Sequence, residues 1–72
     1  GIDVEYTDRE RGDFVFFVNA NEKVHHVGIY LGNDEIIHAH GKVRIDTLTS
    51  DGIIRRFDNE LSHRYYGIKR LM

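Results

Sequence analysis

The chain has 72 residues, of which 40% are hydrophobic and 31% charged, a composition typical of one small globular domain rather than of a disordered or membrane-embedded protein. Its formal net charge of -2 comes from interspersed signs without a basic stripe, which argues against nucleic acid as the main ligand. Cysteine is absent, so these residues supply no disulfide, no cysteine-ligated zinc site and no thiol nucleophile.

Signals for targeting or membrane insertion are not visible in the sequence. No apolar run reaches the length of a transmembrane helix. The first residues, Gly1-Ile2-Asp3-Val4, have neither an initiator methionine nor a signal-peptide pattern, so the chain is expected to begin inside a longer protein. The core of so short a domain is marginal, and a second segment packed against it would stabilise it.

Short apolar segments separated by turn residues predict a chain made mainly of strands. Aromatic and β-branched residues dominate these segments, and single glycines mark the turns between them. The five predicted strands are Phe14–Val18, Val24–Leu31, Glu35–His40, Lys42–Leu48 and Arg64–Leu71. The second and third of these are expected to form a β-hairpin.

One short helix is predicted between the fourth and fifth strands. Ser50 or Asp51 is suited to cap its N-terminus. The apolar residues that recur at helical spacing after this cap are Ile53, Ile54, Phe57 and Leu61. The expected fold class is therefore α+β, with an antiparallel sheet of about five strands and one short helix.

The register of the hairpin decides which side chains share a face of the sheet. A three-residue turn at 32–34 places His26 opposite His40 and Gly28 opposite His38, which gathers three histidines on one face and leaves the other face largely apolar. Two-residue turns would divide the histidines between core and solvent. We therefore expect the three-residue turn, with a hollow opposite His38 because Gly28 has no side chain.

Two histidines on one face point to acid-base chemistry. His26 and His38 are diagonal neighbours in this register, and long side chains can meet across the ~7–8 Å that separates such positions. A neutral His38 can accept a hydrogen bond from His26 and fix its tautomer, as a general base requires. Histidine adds no full negative charge, which a cysteine nucleophile tolerates better than a serine because a thiol is already acidic.

Five segments follow one another in a distinctive order: GDFVFF, HVGIYLG, IIHAH, GKVRIDTL and RYYGIKRL. From about Gly12 to the end, this order resembles the C-terminal part of the papain-like NlpC-type cysteine peptidases, and the 12-residue step from His26 to His38 is similar to that family's spacing. The resemblance implies that His26 is the catalytic base and that His38 is the third residue of the triad, which orients it.

The same resemblance implies that the nucleophilic cysteine lies outside this chain, in an upstream Asp-Cys-Ser-Gly-like motif at the start of a helix that packs on the sheet. Residues 1–72 would then be the C-terminal part of a single NlpC-type domain, inactive without its N-terminal helical half. Where that half packs, one sheet face should expose apolar side chains. The implied substrates are bacterial cell-wall peptides, cut at the γ-D-glutamyl-diamino acid bond without a cofactor.

Two further residues are candidates for substrate binding. Tyr30 shares the histidine face, and His40 stands where the family commonly has a small serine. Arg11 precedes Gly12 where the family usually has proline. The implied location is the bacterial envelope or periplasm, with the cytoplasm also open.

Three other interpretations fit parts of the sequence. A permuted papain-like acyltransferase or lipid hydrolase also uses a histidine strand, but its cysteine lies downstream, where this chain has none. A zinc site could form from His26, His38 and His40, three imidazoles on one face. A degenerate, non-catalytic module that recognises muropeptides or proteins would also lack the cysteine.

Overall fold

The computed structural model describes residues 1–71, and nearly all of its regular structure is β. Seven strands and one short 3-10 helix, Tyr6–Asp8, follow along the chain. The strands are β1 (Ile2–Val4), β2 (Phe14–Val18), β3 (Val24–Gly32), β4 (Glu35–His40), β5 (Lys42–Thr49), β6 (Gly52–Ile54) and β7 (Leu61–Arg70). The five strands predicted from the sequence are present, with ends that differ by a few residues.

The sheet closes on itself. Its antiparallel strands follow the order β1-β7-β2-β3-β4-β5-β6, and an additional pairing joins β6 to β7. The strands β2 to β7 therefore form a six-stranded barrel, with β1 added beside the C-terminal half of β7. Closure pairs the backbone N–H and C=O groups that would stay unpaired at the edges of an open sheet.

The short helix predicted after Ser50 is wrong, and with it the α+β fold class. The segment forms β6, which pairs with β5 through Thr49↔Gly52 and with β7 through Ile53↔His63. Helical spacing would bury Phe57 together with Ile53, but Phe57 is 78% exposed and Ile53 fully buried. Pairing on both sides, which closes the barrel, outweighs the local helical pattern.

The hairpin has the predicted register but a different turn. Gly28↔His38 and Tyr30↔Ile36 are paired as expected, whereas Gly32, not Leu31, pairs with Glu35. Asn33 and Asp34 form a two-residue turn with φ of 52° and 60°, the left-handed region that such hairpin turns require. The extra residue, Leu31, forms a bulge that restores the register, so the histidine face is kept.

The barrel interior is apolar over most of its volume. Period-two alternation turns the core side chains inward from six strands, and they are Val15, Phe17, Tyr30, Ile36, Leu48, Ile53 and Ile68. The interior also holds His38, Asp46 and His63, each at most 6% exposed. Buried polar groups of this kind need hydrogen-bond partners, and these are described below.

The opposite, outer face of β3, β4 and β5 is apolar and exposed, as expected from the sequence. Ile29, Ile37 and Ile45 are aligned across the three strands, and Val27, Ala39 and Val43 form a parallel row. Val43 is 69% exposed and Val27 46%. Phe14 and Phe16 extend these two rows onto β2. Among residues 1–71, no helix has the length and hydrophobicity needed to cross a bilayer.

Candidate active site

The hairpin brings His26 and His38 into direct contact. Nε2 of His26 lies 2.9 Å from Nδ1 of His38, and the two rings are perpendicular. His38 is only 5% exposed, whereas His26 is partly exposed at the mouth of the barrel. The predicted hollow at Gly28 is filled by the Ile36 side chain, 2.8 Å from where a Cβ of residue 28 would lie. Glycine at this position therefore serves packing within the barrel.

A third group, Asp46, extends this contact on the inner face of β5. Its Oδ2 lies 2.7 Å from Nε2 of His38, and its Oδ1 accepts a hydrogen bond of 2.9 Å from the backbone N–H of Arg56. Burial raises the pKa of the Asp46 carboxyl, but the hydrogen bonds from Arg56 and His38 outweigh burial and hold that pKa below its usual range. Asp46 is therefore an ionised acceptor at neutral pH.

The ionised carboxylate fixes the tautomers of both histidines. A carboxylate only accepts hydrogen bonds, so His38 must carry its proton on Nε2 and expose the lone pair of Nδ1. That lone pair accepts the N–H of His26 at Nε2. Nδ1 of His26 is then left unprotonated, and it has no hydrogen-bond partner among the described residues.

His26 is a neutral base in this environment. Burial, followed by the nearby His38, lowers its pKa from 6.5 to about 4. A neutral imidazole with one free nitrogen can accept a proton from a thiol, and a thiolate formed beside it would raise its pKa again. The arrangement suits a thiolate–imidazolium pair.

His63, for which no role was predicted, packs against the same pair. Its ring stacks on His26 at 4.0 Å between centroids and 21° between planes, and it is 6% exposed. Its Nδ1 lies 2.8 Å from the hydroxyl of Ser62. Burial, followed by His26, lowers the pKa of His63 to about 4. One ring nitrogen each from His26, His38 and His63 lies within 4.8 Å of the others.

The two residues predicted to bind substrate lie in different surroundings. His40 is exposed, 5.1 Å from His63 and 6.5 Å from His26 between ring centroids. Tyr30 is 6% exposed in the core, and its hydroxyl accepts a hydrogen bond of 3.1 Å from the backbone N–H of Asp34. The predicted zinc set of His26, His38 and His40 is replaced in the structure by one in which His63 takes the place of His40.

The residues that sequence reasoning missed, Asp46 and His63, carried only weak signals. Asp46 is an acidic residue at an inward position of the alternating KVRID segment, which places it on the face of His38. His63 reaches the site because β6 pairs with β7 and closes the barrel. A helix was predicted in place of β6, so this pairing was not expected. The register of one hairpin contains neither residue.

Comparison with known proteins agrees with the resemblance seen in the sequence. The family model of the NlpC/P60 family matches residues 2–62. No curated protein matches the chain. The match covers most of the chain, including β1 to β6 and therefore His26 and His38. The chain therefore belongs to the NlpC/P60 family of cell-wall peptidase domains.

Proposed function

We propose that this chain supplies the base of a cysteine peptidase and that the nucleophilic cysteine lies outside residues 1–72. The observation that supports this function best is the series of short contacts from His26 through His38 to Asp46, at 2.9 and 2.7 Å. It leaves Nδ1 of His26 free and unprotonated at the barrel mouth. General acid-base catalysis of this kind contributes roughly 10²–10⁴-fold to a rate.

In the proposed reaction, Nδ1 of His26 takes the proton of the cysteine thiol. The thiolate attacks the peptide carbonyl, and the imidazolium formed by the first proton transfer gives its proton to the leaving amine. Water then gives a proton to the same nitrogen and attacks the acyl–cysteine bond, which releases the carboxylic acid and returns the proton to the cysteine. His38 accepts the Nε2 proton of His26 and so holds the His26 ring in place. Asp46 supplies the negative charge that His38 alone would lack. The carboxylate thus stabilises the imidazolium from one residue further away.

The outer apolar face offers a docking surface for the proposed N-terminal half. Four of its aliphatic side chains, Val27, Ile29, Val43 and Ile45, are each at least 39% exposed, and contiguous apolar surface of this kind commonly marks an interaction site. A shallow depression joins the face to the site, since its lining includes His26 together with Phe16, Val27 and Ala39. An N-terminal helical half packed on this face would come close to His26 and could present a cysteine there.

The proposed substrates are bacterial cell-wall peptides, cut at the bond between γ-linked D-glutamate and a diamino acid. This finer assignment extends the family membership through the GKVRIDTL and IIHAH segments. His40 is the better placed of the two proposed contacts, because it is exposed beside His26. Tyr30 would reach substrate only after leaving the core.

The test uses the chain together with its cysteine-bearing half. His26→Ala should lower kcat/KM for a γ-D-glutamyl-diamino acid peptide by at least ~10³-fold, with an unchanged circular dichroism spectrum. The matched control is His25→Ala, since His25 is exposed and its side chain makes no hydrogen bond among the described residues; it should stay within about threefold. Normal turnover in His26→Ala would refute the assignment of the base.

The non-catalytic alternative makes a different prediction. Intact-mass analysis of the natural protein would then find a companion segment without cysteine, and the chain would bind muropeptides without cutting them. A cysteine in the companion segment whose alkylation abolishes cleavage would exclude that alternative.

A further inference from the structure

The proposed reaction uses His26 and His38 but gives no role to His63, the third histidine of their cluster. The three residues come from β3, β4 and β7 and meet inside the barrel, with one ring nitrogen each within 4.8 Å of the others. Tetrahedral zinc has Zn–N distances of ~2.0–2.1 Å, which correspond to nitrogens roughly 3.3 Å apart. Side-chain movements that include a rotation of the stacked His63 ring would bring the three nitrogens to metal-binding distances.

The outer nitrogens of two of these rings are already held. Nε2 of His38 is bonded to Asp46, which leaves Nδ1 of His38 facing the cluster. Nδ1 of His63 is bonded to the Ser62 hydroxyl, which leaves its Nε2 available. Metal-binding histidines almost always have their second ring nitrogen fixed by a carboxylate, a carbonyl or water, and this support raises affinity 10- to 100-fold.

We propose that His26, His38 and His63 form a binding site for one zinc ion, or another divalent metal that prefers imidazole, and that metal binding and the His26–His38 hydrogen bond exclude each other. The ion would use Nε2 of His26 and Nδ1 of His38, the two atoms joined by that 2.9 Å hydrogen bond. The His63 ring, stacked on His26 at 4.0 Å, would have to turn toward the ion. Imidazole ligands favour Zn²⁺, Cu²⁺ and Ni²⁺ over Mg²⁺ and Ca²⁺.

Binding would also change the chemistry of His26. A neutral imidazole that coordinates a metal through Nε2 carries its proton on Nδ1, so it can no longer accept a proton there. Zinc should therefore inhibit the peptidase reversibly. This consequence rests on the proposed function, whereas the metal site does not.

The binding test is calorimetric titration of the purified chain with Zn²⁺, together with visible absorption of bound Co²⁺. One ion per chain should bind, with an absorption spectrum of tetrahedral type, and Mg²⁺ should not compete. His63→Gln and His63→Phe should each weaken Zn²⁺ binding at least tenfold, and the second variant keeps an aromatic ring in the stack. Asp46→Asn should weaken it about tenfold.

Controls come from the two histidines outside the cluster. His25→Gln and His40→Gln should bind Zn²⁺ within about twofold of the unaltered chain. The proposal is overturned if these variants lose as much affinity as His63→Gln, if both His63 variants bind normally while folded, or if the chain binds no Zn²⁺ at all.

A second measurement separates the site from the reaction. In the cysteine-containing protein, Zn²⁺ should inhibit cleavage, a chelator should restore it, and His63→Gln should shift the inhibitory concentration upward at least tenfold. Stoichiometric binding in a protein that cleaves nothing would leave the metal site standing and count against the proposed function. Inhibition unaffected by His63→Gln would place the inhibitory ion elsewhere and contradict the proposal.

Discussion

Two buried carboxylates, Asp13 and Asp46, have different side-chain partners in this barrel. Asp13 is 2% exposed and Asp46 4%. Arg70 donates to both oxygens of Asp13 at 2.8 Å, and the backbone N–H of Glu10 adds a third hydrogen bond. Asp46 also accepts one backbone N–H, but its side-chain partner is His38.

The difference lies in whether the partner can change its protonation state. An arginine stays charged, so its paired hydrogen bonds hold the pKa of Asp13 below its usual range and tie β7 to the loop before β2. A histidine can exchange protons, and the one beside Asp46 passes its orientation on to His26. Burial alone therefore does not distinguish the two carboxylates, and the role proposed for Asp46 depends on its titratable partner.

Among changes at the two carboxylates and their partners, the largest expected effect is that of Asp46→Asn on catalysis. The N–H of Arg56 requires an oxygen on its side, so the new amide NH₂ would face His38 and force its proton onto Nδ1. The tautomer of His26 would then be inverted. We expect kcat/KM of the cysteine-containing protein to fall about 10²-fold, with ¹⁵N NMR shifts of the histidines reporting the inversion. An unchanged His26 tautomer would show that Asp46 does not orient the pair.

The next effect should appear in stability, with Arg70→Gln. Removing the guanidinium leaves the buried Asp13 carboxylate without its charged partner, which is costly. We expect Tm in a thermal scan to fall by at least about 5 °C. Below Tm, kcat/KM should match that of the unaltered protein. A loss of activity in the folded Arg70→Gln variant would contradict the separation of the two carboxylates.

Mild acid should destabilise the fold through the two buried histidines of the site, His26 and His63. The folded pKa values of His26 and His63, about 4, lie below the unfolded value of 6.5, so the unfolded chain binds protons first as the pH falls. Their contribution to stability is complete above about pH 6.5 and is lost toward pH 4. Urea midpoints should therefore decrease from pH 7 to pH 5, and less so in His63→Phe. An equal decrease in His63→Phe would assign the effect elsewhere.

The smallest expected effect is that of Tyr30→Phe. This change removes one acceptor from the backbone N–H of Asp34, so the free energy of unfolding should fall by about 1 kcal/mol, the usual contribution of one hydrogen bond. A KM within about twofold of normal would place Tyr30 in the core alone. A larger change in KM, matching that of His40→Gln, would support the substrate contact predicted from the sequence.

The hairpin could be predicted because its information is local. Period-two alternation and one glycine define which histidines share a face, and this register survives even though the turn has two residues instead of three. The positions of Asp46 and His63 depend on closure of the whole sheet. Local helical spacing around Ile53 competed with that closure, and nothing nearby in the sequence indicates that β6 finds partners on both sides.

Closure of the sheet also decides how isolated copies of the chain would meet. Among the described residues, β1 is the only strand paired on a single side, and it has three residues. Strand-by-strand polymerisation into amyloid-like fibres needs long free edges, and this barrel offers almost none. Isolated copies of the chain should therefore associate through the outer apolar face of β3, β4 and β5. We expect small, dissociable oligomers that do not stain with amyloid dyes.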